Sequence, residues 1–463
     1  MSAPAWALSA VELVREFGAR TLDPVEVLEA ISDRTARVNP QINALVTADP
    51  TARMQADASA RRYAAGTPLG PLDGVPVAIK DNLVVRGLAA TWGTRALASF
   101  VPDHDELPVA RLRAAGAVIV GKTNVPEFTL EGYTTNPLFG VTRNPWDLRV
   151  TPGGSSGGSA AGCAAGLFPL ALCTDGGGSI RRPASHTGLV GFKPSIGAVP
   201  RADGLPPLLL DFEVVGPLAR GVDDAAVLFD AIRGPDARDR ASLVLAPAAP
   251  PGRALSILAV SRFGDAPLDA EVSASFDDAV RVFDSLGHRV ATGALPLDLD
   301  PILAFWPIVG QVSLARAFAA SPDLRNHASP KYVEMAEQGE RVSAARFLEG
   351  LEAIVAFRRA TTSLFDAVDL VLTPAAAALP WPADEPFPPV IDGKPAGPRG
   401  HAVYTGWINV CGNPAIALPS TPSRAGLPIG VQLVGAFGAD LALFDVARAY
   451  EREAPWAARR PPL

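Results

Sequence analysis

From about Gly74 onward the sequence alternates short β-branched runs with stretches of helical character, and that alternation restricts the chain to a small set of folds. The runs are Val75–Ile79, Ala117–Val120, Leu370–Thr373 and Gly430–Val434. Strands alternating with helices pack as a sheet covered by helices, so the expectation is an α/β architecture. Helix starts are legible upstream. Ser9-Ala-Val-Glu12 has capping-box form, and Asp23-Pro24 sets a cap residue before a proline at the first helical position. Val25, Leu28 and Ile31 then recur on one helical face. Ala246 to Arg253, rich in Pro and Ala, reads as a loop between two lobes, and Leu379 to Pro398 as a long surface loop.

Composition excludes several classes. The 463 residues are 48% hydrophobic and 19% charged, enough for a sizeable core, and large α/β enzymes of this length often fold as one unit. The net charge is -7 and no polybasic block occurs, so no nucleic-acid partner is expected. No uninterrupted apolar run reaches the roughly 18 residues of a membrane span. The start, Met1 to Trp6, lacks the basic and apolar regions of a signal peptide. Three cysteines, Cys163, Cys173 and Cys411, make neither a disulfide framework nor a CxxC zinc pair. A reduced, cytoplasmic protein is expected.

Two serine-bearing glycine clusters point to chemistry: Pro152-Gly-Gly-Ser-Ser-Gly-Gly-Ser159 and Asp175-Gly-Gly-Gly-Ser-Ile-Arg-Arg182. Lys80 closes an apolar run upstream, and none of the five histidines (His104, His186, His288, His327, His401) sits in a catalytic motif. Glycines beside a serine let backbone and substrate approach closely. Gly176, Gly177 and Gly178 can aim several N–H groups at one oxyanion. Alone, such a turn is more often a tight structural loop, and Lys80 more often a charged strand-end lysine paired with Asp81 or another acid. Two other patterns compete. Gly116 to Thr123 satisfies the P-loop expression, but its middle residues Ala-Val-Ile-Val read as strand and Pro126 follows at once, so nucleotide binding is a remote alternative. The elbow G-x-S-x-G fits at Ser155 and at Ser156, yet Thr151-Pro152 reads as a loop rather than a strand.

Lys80, Ser155 and Ser179 acquire meaning as a set. Gly74-Val-Pro-Val-Ala-Ile-Lys-Asp-Asn82, Gly121 to Phe128, Asn136 to Trp146, Thr151 to Ser159, Thr174 to Arg182, Gly188 to Pro194, Asn409 to Ala415 and Gly426 to Gln432 together resemble the amidase signature family over nearly the whole chain. The resemblance implies a single domain, 1–463, with the amidase signature fold: a large, mixed, twisted β-sheet covered by helices on both faces. Within it, N-terminal helices would span about 1–65, the signature core about 66–235, and the substrate-pocket part about 236–463. It implies a Ser-Ser-Lys triad with Ser179 as nucleophile, Ser155 as bridging serine (its peptide often cis) and Lys80 as base. Glycine at 176 is a departure, since a larger residue is usual there.

The implied chemistry is self-consistent. A serine hydroxyl is weak at neutral pH and must lose its proton as it attacks, and lysine accepts a proton only when neutral, which burial favours. Lys80 would draw a proton from Ser155 and Ser155 from Ser179, giving an acyl-enzyme that water hydrolyses to a carboxylate and ammonia or an amine. No metal or organic cofactor is needed. Asp175 and Arg181 are expected to pair and hold the loop. The resemblance places Thr129, Leu130 and Glu131 on a pocket wall, and Arg182, three residues beyond Ser179, where some members bind a substrate carboxylate; a purely structural arginine is the alternative. The expected partner is a small-molecule amide, with a homodimer implied by the family. The competing function is the glutamine-hydrolysing component of a tRNA-dependent amidotransferase. Such components carry an acid shortly before the motif matching Asn409, and His401 to Ile408 contains none.

Overall fold

In the computed structural model, which describes residues 4–245 and 254–463, one sheet of eleven strands runs through the chain. In chain order the strands are β1 (Leu45–Ala48), β2 (Pro76–Lys80), β3 (Val118–Thr123), β4 (Leu170–Asp175), β5 (Val190–Lys193), β6 (Val214–Ala219), β7 (Ser256–Ala259), β8 (Arg289–Thr292), β9 (Leu370–Pro374), β10 (Ala415–Pro419) and β11 (Gly430–Gly435). Across the sheet they lie β1-β3-β2-β4-β6-β5-β10-β11-β9-β7-β8. β2 is parallel to β3 and β4, β7 is parallel to β8 and β9, and the other neighbours are antiparallel. The sheet is therefore mixed and flanked by helices, as expected. Each of the four β-branched runs forms a strand.

Both capping boxes form. Ser9 accepts from the Glu12 N–H at 3.1 Å while Glu12 accepts from the Ser9 N–H at 2.7 Å, opening the helix Ala10–Ala19. Asp23 and Glu26 do the same for Pro24–Ile42, with Pro24 in its first turn. The prolines of Leu379 to Pro398 leave that stretch mostly irregular, apart from a short hairpin pairing Val390–Ile391 with Lys394–Pro395. The Ala246 to Arg253 connection lies outside the described residues. Among the described residues one helix, Asp300–Ala320, is long and apolar enough to cross a membrane by length and composition. No uninterrupted apolar run marks it in the sequence, because Pro307, Gln311 and Ser313 break the run. It packs on the helices Pro330–Glu340 and Ala344–Ala367, burying Ile302, Phe305, Val309, Leu314 and Phe318.

Strand alternation positions the site. Val77 and Ile79 of β2 join one hydrophobic cluster with Leu170, Leu172 and Val215, on one face of the sheet. Ala78 joins another with Ala171, Cys173 and the helix Gly157–Ala165. With a side-chain period of two, Lys80 shares the Ala78 face. The small residues there admit the helix closely. A Cβ on Gly158 would strike the Asn124 backbone, and the loop entering this helix carries Ser155.

Candidate active site

Lys80 is the last residue of β2 and fully buried. Its Nζ donates to Ser155 Oγ at 2.8 Å and reaches Thr174 Oγ1 at 2.9 Å and the Thr174 carbonyl at 3.1 Å. Asn82 Nδ2 donates to the same Thr174 hydroxyl at 3.0 Å. No carboxylate forms a salt bridge with Lys80 among the described residues. The structural alternative, pairing with Asp81, does not occur. Asp81 instead faces Lys122, 3.5 Å away, and accepts from Thr91. Burial pulls the Lys80 pKa down to about 8, while Glu213, Cys173 and Asp175 push it upward. The Gly154–Ser155 peptide is cis.

Ser179 follows β4 on a loop built around Asp175. One carboxylate oxygen accepts from the Gly178 N–H at 2.6 Å, the other from the Ile180 N–H at 3.0 Å, and Arg181 clamps both from its Nε and Nη2 at 3.0 Å. Burial raises the Asp175 pKa, but the Arg181 charge and these hydrogen bonds outweigh it and hold the group well below the usual range. The Asp175–Arg181 pair is therefore as expected. Arg181 continues to Gln432 Oε1 at 3.0 Å and Asn409 Oδ1 at 2.6 Å, so both C-terminal motifs converge on this loop. The Ser179 carbonyl accepts from the Ser156 N–H at 3.1 Å, which ties the two serine loops together. Gly178 lies at φ +108°, a backbone state that glycine adopts freely. Its N–H is used by Asp175 and does not add to an oxyanion hole, a correction to the three-glycine expectation. The N–H groups of Gly176, Gly177 and Ser179 have no hydrogen-bond partner among the described residues. The unusual glycine at 176 has a steric reason: a Cβ there would sit 2.6 Å from Leu209 Cδ1.

Thr129 and Leu130 line a cleft with Asn82, Trp92, Leu209 and Glu213. Trp92, Phe128 and Thr129 all hold left-handed backbone angles, with φ of +52°, +55° and +58°. Such residues persist only where the surroundings over-determine them. Here the Phe128 N–H donates to the Trp92 carbonyl at 2.8 Å and Trp92 Nε1 donates to Thr129 Oγ1 at 3.3 Å. Arg201, also on the cleft, joins Glu106, at 2.8 Å, to Glu213, at 2.7 Å. Glu131 stands apart, in an ion pair with Lys331 at 2.7 Å. Arg182 is 6% exposed, and its Nη atoms donate to the Gly177 carbonyl, to Thr405 Oγ1 at 3.1 Å and to the Gly154 carbonyl at 3.3 Å. It braces both serine loops, so the structural reading of Arg182 replaces the carboxylate-binding one.

Sequence reasoning missed Thr174, Thr405, Asn409 and Gln432 as supports of the site, and Trp306 and Arg399 as its neighbours. Thr174, Asn409 and Gln432 fall inside the motifs that carry the resemblance, but no pattern names their partners, and nothing local marks Thr405, Trp306 or Arg399. They become partners only when strands and loops distant in sequence meet. Both competing motifs dissolve. Gly121, Lys122 and Thr123 are strand residues of β3, and Lys122 Nζ donates to the Asp81 and Leu83 carbonyls. His401, the histidine that the elbow would need, has both ring nitrogens buried without partners. Among the described residues no group of three or more His, Cys, Asp or Glu stands ready for a metal ion.

Comparison with known proteins gives the family. The family model described as Amidase matches residues 26–444. The glutamyl-tRNA(Gln) amidotransferase of Symbiobacterium thermophilum has an A-type component that is 36% identical, covering 98% of this chain and 99% of that protein. A bacterial aryl acylamidase of the amidase signature family superposes with a TM-score of 0.89 at 30% identity, covering 100% of both chains. The native peptide amidase of Stenotrophomonas maltophilia gives 0.82 at 27% identity, covering 98% of each. Fold, motifs and full-length matches coincide, and the chain belongs to the amidase signature family.

Proposed function

We propose that the chain hydrolyses the C–N bond of small linear carboxamides through an acyl-enzyme on Ser179. One observation carries the reading: a buried lysine without a carboxylate partner donates a hydrogen bond to Ser155, on a loop tied to that of Ser179. Neutral Lys80 accepts the Ser155 proton as Ser155 accepts that of Ser179, and the Ser179 oxygen attacks the amide carbon. The oxyanion that forms is met by unpartnered N–H groups of the Gly176–Ser179 turn. Ser155 returns the proton to the departing nitrogen, ammonia or amine leaves, and water enters by the same relay to free the carboxylate. Labelling with a fluorophosphonate tests the assignment. Label on Ser179, with ammonia release lost in Ser179→Ala, is expected; label on Ser156 overturns it.

A second reading has specific support. The amidotransferase components match over nearly their whole length, so glutamine hydrolysis for a tRNA-bound partner is the competing role. The absence of Asp and Glu from His401 to Ile408 weighs against gripping the glutamine ammonium there. Glutamine hydrolysed faster than amides lacking an α-ammonium would favour the amidotransferase role.

A further inference from the structure

Arg399 is a guanidinium without a counterion at the edge of the nucleophile loop. It lies over the Trp306 ring, 4.6 Å from the centroid, and Trp306 in turn abuts Gly177, with its Cζ2 atom 2.7 Å from where a Gly177 Cβ would stand. Arg399 Nη2 comes within 3.2 Å of the corresponding position at Gly406, which starts the segment contributing Asn409 to the Asp175 loop. The guanidinium makes no hydrogen bond and no ion pair among the described residues. Arg399 is exposed to solvent. The one acid that acts on it electrostatically, Glu131, is already bound to Lys331 at 2.7 Å. Arg182, a second guanidinium within its electrostatic reach, adds positive potential and no acid.

We infer that Arg399 is the receptor for a carboxylate on the substrate, so that the preferred substrates are monoamides of dicarboxylic acids. This rests on the hydrolytic reading above and names its substrate class. A guanidinium presents a planar fork that matches a carboxylate. Stacking on Trp306 holds the fork in place without using its donors. An α-ammonium on the substrate finds no free acid on this side, since Glu131 is occupied, so amides lacking an amine fit better than amino-acid amides.

Calorimetry on Ser179→Ala protein, which cannot turn over, measures binding of succinamate and glutaramate against their neutral diamides, succinamide and glutaramide. The acids match the diamides in size and differ in charge. At least one acid should bind about tenfold tighter than its diamide or better, and the preference should weaken with salt. Adding Arg399→Gln should bring that ratio below about twofold while diamide affinity and melting temperature stay put. Equal affinity for acid and diamide, a preference that survives Arg399→Gln, or no binding of any of the four overturns the inference. Ammonia release by the Ser179 protein separates the two levels. Binding that follows Arg399 with no release from any of the four amides leaves the receptor standing and removes the hydrolytic reading.

Discussion

At the scale of single residues, the proposed relay puts two conflicting demands on Lys80: it must be able to hold a proton transiently and be buried enough to be neutral when the substrate arrives. Its pKa of about 8 lies well below the ordinary 10.5 because burial disfavours the ammonium. In the proposed relay the neutral form is the base, so kcat/KM should rise with pH through a limb centred near 8. Glu213 holds that pKa up and Arg201 pushes it down. Removing the Glu213 charge while keeping its contact, Glu213→Gln, should therefore move the limb to lower pH. A limb that stays in place would mean a different group titrates. Lys80→Met should lower kcat/KM by at least about a thousandfold, because members of such a unit fail together. Its stability consequence has a defined sign. Between pH 8 and 10.5 the unfolded chain holds more of this proton than the fold does, so Lys80 adds stability as pH rises through that window. The difference in melting temperature between wild type and Lys80→Met should accordingly shift in favour of wild type from pH 8 to pH 10. Lys80, Ser155 and Ser179 were legible because the resemblance names them outright. Thr174 was not legible as a partner of Lys80, since its role depends on β2 and β4 lying side by side.

Among the elements, the Asp175–Arg182 loop shows where pattern stops being informative. Its glycines are visible in the sequence, but their duties differ. Gly178 supplies a left-handed turn and donates to Asp175, whereas Gly176 makes room for Leu209. The helix Gly157–Ala165 makes a parallel case, with Gly158 pressed against the Asn124 backbone. A methyl added at Gly176 meets the end of a flexible side chain, and one added at Gly158 meets main chain. Gly176→Ala should thus cost no more than about 1 kcal/mol, and adding Leu209→Ala should remove the steric part of that cost. Gly158→Ala should cost about 3 kcal/mol or more. Urea unfolding of the variants checks the order; equal costs would mean that the helix approach is less tight than described. Helix caps and β-branched strands were readable because their signals are local. Leu209, Trp306 and Arg399 lie on segments whose positions are set by packing, and neither period nor cap marks them.

For the whole molecule, the sheet order divides between β6 and β7, on either side of the Ala246 to Arg253 stretch that the sequence reads as a loop between two lobes. Strands β1 to β6 occupy one half of the sheet and β7 to β11 the other, and within the sheet the halves join at a seam where Gly191, Phe192 and Lys193 of β5 pair with Ala417, Ile416 and Ala415 of β10. The short helix Arg181–Thr187, directly after the Ser179 loop, packs across that seam on β5, β10 and β11. Arg181 is fully buried there, and its donors end on Asn409 and Gln432 from the far half. The signature residues of the first half therefore depend on the second half for their positions. A fragment of residues 1–245 retains Lys80, Ser155 and Ser179 but exposes the β5 edge and leaves Arg181 with only Asp175 to satisfy it. Breaking such a buried network typically costs about 3–5 kcal/mol, a large share of a domain's stability. The fragment should show no cooperative thermal transition and no amidase activity, while the full chain melts in one step. A fragment that melted sharply and took up a fluorophosphonate on Ser179 would make the first half an independent domain and the seam a mere docking surface.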